Sequence, residues 1–225
     1  MKLVATTISR QEEKWQLSEI PHYTETVPMN APVLDPFAYT LGLGRKRNLA
    51  VKTVLEKYPE ASHVLMCDSY YVHQTEGLKQ LISDYEKSDK NIILGGAVWG
   101  RIRARVTDLY KNNYVRWFDE WAVPEFRLVH YNTSFAGLIP SSSVPGIFIF
   151  PRSLWDIGVR FGQHRLLDKN EWHHMQGCEL NYFCSRAPTV KMIDFNAKFY
   201  RERIYPAIKC LRISLHLGRF VKWIR

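Results

Sequence analysis

The chain has 225 residues, 46% of them hydrophobic and 13% aromatic, and a net charge of +9. That is long and apolar enough for one large domain with a buried core, which excludes a chain dominated by disorder. The charge is uneven: residues 201–225 hold Arg201, Arg203, Lys209, Arg212, Arg219, Lys222 and Arg225 against Glu202, so a basic tail suited to lipid or nucleic-acid phosphates follows a nearly balanced remainder.

In chain order, "KLVATTIS" is a β-branched strand ending in the polar loop "RQEEKW". "LSEIPHYTETVP" is a weaker extended segment, and "MNAPVLDPFAYTLGLG" reads as a connection punctuated by Pro and Gly. "RKRNLAVKTVLEKY" is helical, with Leu49, Val54 and Leu55 on one side and Pro59 ending it. The short apolar run from His63 to Cys67 stops at Asp68, and a helix follows over about 75–85. "NIILGGAVWG" is another apolar strand, ended by Gly. After a basic, aromatic stretch over 101–124 come short strands around "FRLVHYN" and "PGIFIFPRSLW", a helix-like segment over about 177–187, and a closing strand "TVKMIDF". This order predicts an α/β fold, a mixed but mostly parallel sheet flanked by helices. In such sheets ligands bind beyond the C-terminal strand ends, which is where Asp68 falls.

Two features of the residues themselves carry chemistry. "GLGRKRN" would set Arg45, Lys46 and Arg47 at a helix start, where amide N–H groups and the helix dipole favour a diphosphate and guanidinium groups fork onto its oxygens. The GLG is not a dinucleotide fingerprint, because the third Gly and an immediately preceding strand are missing. Toward the C-terminus, Ile213, Leu217, Phe220, Val221 and Ile224 form one helical stripe with Lys209, Arg212, Arg219 and Lys222 off it. Such a helix can lie on an anionic membrane surface or pack its stripe back onto the domain. Cys67, Cys178, Cys184 and Cys210 show neither zinc spacing nor a disulfide framework. "MKLVATTISRQ" lacks the apolar core of a signal peptide, and no run reaches the ~18 apolar residues of a membrane span. The expectation is a cytoplasmic, reduced protein, peripheral to a membrane at most.

Taken in order, "LVATTISRQEEK", "RKRNLAVKTVLEKYPEASHVLMCDSYYV", "IILGGAVWG", "PGIFIFPRSLW" and "CELNYFCSRA" resemble the successive motifs of GT-A-fold glycosyltransferases, closest to the broad family 2-like group, over about 2–200. The resemblance implies a single GT-A (Rossmann-like) domain over 1–203, and the apolar stripe adds a basic amphipathic C-terminal helix over 204–225. It also implies transfer of a sugar from a nucleotide-sugar donor to a hydroxyl of a glycan, lipid-linked or protein acceptor. Thr6, Thr7, Ser9 and Arg10 would then hold the base, Arg45, Arg47 and Asn48 the diphosphate side, and Pro145 and Gly146 would line the donor sugar and acceptor. Asp68 matches the first acid of the DxD motif, holding a divalent metal or a ribose hydroxyl, and Glu179 matches the acid that deprotonates the acceptor.

The motif is degenerate. Tyr70 stands where the second acid belongs, and "NAKFYRER" lacks the late His, so a loose dependence on Mn²⁺ or Mg²⁺ is expected, with Arg45, Lys46, Arg47, Lys198, Arg201 and Arg203 able to neutralise the leaving diphosphate. In another register the base falls on Gly177, and Asp168 or Glu171 supplies the carboxylate. His164, His173 and His174 lie near these acids, but adjacent histidines cannot both face one site on a helix. Trp99, Arg101, Arg103 and Trp117 are acceptor-side candidates. Plainer readings stand beside these: an edge loop after the first strand, a solvated basic face at 45–47, a helix-capping acid at 68, an ordinary turn at 145–146 and a surface glutamate at 179. Two other functions compete. A nucleic-acid-binding protein would use the tail and "RIRAR" but leaves Asp68 unexplained, and no nucleic-acid partner is expected. A sugar-nucleotide nucleotidyltransferase would need a Gly-rich first loop, which "TTISRQEEKW" is not.

Overall fold

A computed structural model describes residues 1–9, 11–26, 36–105, 117–122, 137–141, 143–162 and 178–206. The elements are β1 (Leu3–Ser9), β2 (His22–Thr26), α1 (Pro36–Lys57), β3 (His63–Asp68), α2 (Thr75–Lys87), β4 (Ile93–Arg105), β5 (Trp117–Ala122), β6 (Leu138–Pro140), β7 (Ile147–Pro151), α3 (Arg152–Asp156), α4 (Cys178–Arg186) and β8 (Lys191–Pro206). A single 3₁₀ turn, Ser69–Tyr71, follows β3. The chain divides into two compact units, residues 1–96 with 136–197 and residues 97–135 with 198–225.

The sheet runs β2-β1-β3-β7-β4-β8-β6, with β5 paired to β4. β1 lies parallel to both β2 and β3, with Ala5 opposite His22 and Ile8 opposite Asp68. β7 then enters antiparallel between β3 and β4, setting Cys67 opposite Ile147 and Gly95 opposite Phe148. Among the described residues, antiparallel pairs outnumber parallel ones, which corrects the mostly parallel expectation. A short apolar strand such as "IFIF" has the same pattern in either direction, so the reversal left no trace in the sequence. In the second unit, β4 and β5 pair antiparallel, with Arg101 opposite Trp121 and Arg105 opposite Trp117.

β1, β3 and β7 are buried almost throughout, because helices cover the sheet. α1 buries Ala50, Val51, Val54 and Leu55, and α2 buries Gly77, Leu78, Leu81 and Tyr85, each at helical spacing. Four phenylalanines from three segments fill the space between β7 and α4. Phe161 stacks on Phe183 with centroids 4.5 Å apart, and Phe183 meets Phe150 edge-on at 5.1 Å. Each such pair adds about 0.5–1.5 kcal/mol beyond area burial. The cluster fixes α4, and so the first residues of α4, against the sheet.

α1 differs from the sequence reading in a way that matters for the site. It starts at Pro36, with proline in the first turn where its missing N–H is harmless, and runs through "GLG" without interruption. Residues 45–47 therefore lie in the third and fourth turns, where their amides are committed to carbonyls one turn back. The helix-start anion cradle expected there does not form. Gly44, which read as punctuation, is a close-packing device: a Cβ on it would overlap the Gly162 carbonyl oxygen and lie 3.3 Å from Glu179 Cβ.

β8 also runs further than expected, to Pro206, so residues 204–206 are strand rather than helix. The "FRLVHYN" strand and residues 207–225, with the amphipathic stripe, lie outside the described residues.

Candidate active site

The parallel direction of β1, β2 and β3 puts Ser9, Thr26 and Asp68 on one edge of the sheet. Antiparallel β7 begins at that same edge, so Gly146 falls beside Asp68. The Asp68 amide donates to the Gly146 carbonyl at 2.8 Å. A Cβ at Gly146 would overlap Asp68 Oδ2, so only glycine lets the carboxylate settle there. Pro145 is buried against Gly95 of β4 and anchors the turn.

Helical spacing sends the three cations of "RKR" in different directions. Arg45 is exposed and lines a cavity of about 1110 Å³ between α1, α3 and α4, together with Lys52, Arg152, Trp155, Arg160 and Tyr182. Neither Asp68 nor Glu179 lines that cavity. Most of its charge is used locally: Arg160 covers the Trp155 ring at 3.6 Å and donates to two backbone carbonyls, while Arg152 faces Asp156. Lys46 reaches β2 and donates to Glu25 Oε1 at 2.8 Å. Arg47 turns inward and is only 2% exposed. Its Nη2 donates to Asp68 Oδ1 at 2.7 Å, and its Nε lies 3.7 Å from Glu179 Oε1.

The first residues of α4 and the end of β3 thus converge on one guanidinium. Asp68 is the member that reaches the surface, its side chain 25% exposed against 4% for Glu179. Burial raises the Glu179 pKa above the usual carboxylate value, Arg47 opposes the rise, and the charge of Asp68 adds to it. Asn48, next to Arg47, clamps α1 to the segment before α4. Its Nδ2 donates to the Phe161 carbonyl at 3.0 Å and its Oδ1 accepts the Phe161 N–H at 2.9 Å.

The proposed base-binding residues are occupied within the protein. Thr6 and Thr7 are fully buried. The Thr6 hydroxyl donates to the Tyr23 carbonyl at 3.1 Å, and that of Thr7 lies 2.8 Å from His22 Nε2. Ser9 donates to Glu13. Arg10, His164, Asp168, Glu171, His173, His174 and Gly177 lie outside the described residues. Trp99 is half-buried in β4, and Arg101, Arg103 and Trp117 occupy the β4–β5 pair of the second unit, as Lys198, Arg201 and Arg203 occupy its stretch of β8.

Glu13 was not singled out from sequence, yet it belongs to this edge. Its carboxylate lies 3.6 Å from His73 Nε2. After burial itself, the charges of Asp68 and Glu13 raise the Cys67 thiol, with Arg47 opposing. The only signal was an acid in a polar loop after the first strand, which many solvated loops share. Tyr70, two residues past Asp68, is 59% exposed on the 3₁₀ turn. No helix among the described residues is long and apolar enough to cross a membrane. Compared with models of known protein families and with curated proteins, the chain matches none.

Proposed function

We propose that the protein is a GT-A-like glycosyltransferase that moves a sugar from a nucleotide-sugar donor to an acceptor hydroxyl. The observation that carries this reading is the convergence of Asp68 and Glu179, from a strand end and a helix start far apart in the chain, on the buried guanidinium of Arg47. The place is the C-terminal edge of parallel strands, where open α/β sheets bind ligands. In this reading the exposed side of Asp68 accepts a hydrogen bond from a donor hydroxyl. Glu179, its proton affinity raised by burial, takes the proton of the acceptor hydroxyl. The acceptor oxygen bonds to the anomeric carbon, and the bond from that carbon to phosphate oxygen breaks, its electron pair leaving with the nucleoside diphosphate. For Glu179 to act, the acceptor hydroxyl replaces the 3.7 Å Nε contact, which is longer than a hydrogen bond, while the 2.7 Å contact holds Asp68 in place. The basic residues of 207–225 would bring this site to an anionic membrane surface.

The test is hydrolysis and transfer with a panel of UDP-, GDP- and dTDP-sugars, comparing wild type with Glu179→Gln and Asp68→Asn. Loss of the general base is expected to lower turnover by about 10²–10⁴ while the Gln variant melts no lower than wild type. Turnover unchanged in both variants would refute the site, and no turnover of any donor by wild type would refute the activity.

A further inference from the structure

The resemblance assigns a divalent cation to Asp68, and the residues around Asp68 do not fit one. Mn²⁺ and Mg²⁺ take several oxygen ligands, in such sites one or two carboxylates together with substrate phosphates and water. Here Oδ1 of Asp68 already accepts the Arg47 guanidinium at 2.7 Å, and a Cβ on Gly146 would overlap Oδ2, so the 25% of the side chain left exposed lies beside a fixed cation, a place for a hydroxyl rather than for a second cation. The next carboxylate, Glu179, is buried against the same guanidinium. Among the described residues no three His, Cys, Asp or Glu side chains gather as a metal site. The position of the second acid is the phenol Tyr70, which offers a neutral oxygen on an exposed turn.

A metal ion seated on Asp68 would therefore have to displace a cation already hydrogen-bonded there, or sit beside it against direct charge repulsion. Arg47 cannot easily withdraw, since its own turn of α1 is pinned on both sides. Gly44 is packed on the Gly162 carbonyl, and Asn48 is hydrogen-bonded twice to Phe161. We infer that Arg47 takes the place of the divalent cation at this strand end, so that the site binds its sugar nucleotide without metal. The inference rests on the sugar-nucleotide reading and makes it specific: Asp68 is a hydroxyl acceptor held by a fixed cation, and Arg47 is its positioning residue.

The test is direct binding. Calorimetry with the UDP-, GDP- and dTDP-sugar panel is run on the full chain in EDTA and in Mn²⁺, alongside Mn²⁺ titration followed by water-proton relaxation. By linkage, the factor by which metal tightens the nucleotide equals the factor by which the nucleotide tightens the metal. The expected factor for wild type is about one, with no saturable Mn²⁺ binding. Arg47→Met, which uncovers Asp68 and Glu179, is expected to gain Mn²⁺ binding, whereas Arg47→Lys, which keeps a cation, is not. Should the Met variant fail to fold, wild type and the Lys variant still decide the matter. A tightening of about tenfold or more by Mn²⁺ in wild type would overturn the inference and leave the sugar-nucleotide reading standing. Absence of nucleotide binding in both buffers would overturn the two together.

Discussion

Gly146→Ala isolates the fit between β7 and the acid at the end of β3. The added methyl would overlap Asp68 Oδ2 and lie 3.1 Å from Oδ1. The backbone itself tolerates alanine, since Gly146 is not among the glycines with positive φ, so the unfolded chain contributes a gain of about 0.4–1 kcal/mol. Against this stands overpacking, at about 1–3 kcal/mol. Asp68 is not free to swing aside, because Oδ1 is held by Arg47 and its amide is bonded to residue 146. The net expectation is destabilisation by about 1–2 kcal/mol, read as a lower urea midpoint and a Tm lowered by about 2–4 °C for each kcal/mol. A double-mutant cycle with Asp68→Ala separates the cause. With the carboxylate gone, the methyl enters vacated space, so Gly146→Ala should cost nothing or stabilise. An equal cost in both backgrounds, or none in wild type, would refute the account of Gly146.

Asn48→Ala should cost about 2–3 kcal/mol in urea unfolding, because it strips both hydrogen bonds from the buried backbone of Phe161; a loss under about half a kcal/mol would show that the clamp is replaced by other partners. Asp194, fully buried on β8 with Asp84 alongside and Asn196 donating to Oδ1, has its acid pushed up from 3.8 to about 6, mainly by burial. A raised folded-state value means its favourable contribution is complete below the unfolded pKa and is lost as pH rises through about 6. Asp194→Asn, locked in the neutral form, should therefore gain stability over wild type from acid to neutral pH, by up to about 1.4 kcal/mol for each pH unit that separates the folded and unfolded pKa values. A wild-type and variant difference that stays flat across that range would remove Asp194 as the titrating group.

What the sequence disclosed of this site follows from which patterns survive translation into three dimensions. An apolar run that stops at an acid needs only strand geometry to put Asp68 at a sheet edge, and Glu179 needed only a helix start to be noticed. Arg47 is legible as a functional cation but not in its place, because "GLG" reads as a break that starts the helix at 45, whereas α1 runs through it from Pro36. The 3.6-residue turn then sends one cation outward, one toward β2 and one into the core. Thr6 and Thr7 looked like ligand contacts because their hydroxyls are polar. In a sheet covered on both faces both are interior, and their hydrogen bonds close the β1–β2 pair. Gly44 and Gly146 carry no local signal separating turn from close approach. Their purpose is visible only through residues distant in sequence, the carbonyl of Gly162 and the carboxylate of Asp68.

The acid–guanidinium–acid arrangement is hard to explain as a stability device. A buried ion pair recovers its desolvation cost only with excellent geometry, and well-packed apolar replacements are often as stable or more so. Here the geometry is good on one side only, 2.7 Å to Asp68 against 3.7 Å to Glu179. Two carboxylates face one guanidinium, so the group carries an excess negative charge whenever both are ionised. Burial and the neighbouring Asp68 charge push that excess onto the Glu179 proton equilibrium. A proton taken up by Glu179 leaves a neutral Arg47–Asp68 pair, and a proton released restores a carboxylate under strain to accept one. In the proposed reaction this is the group that takes and returns the proton, at the cost of stability. A purely structural pair would be arranged the other way, with the guanidinium outweighing burial so that the Glu179 value fell.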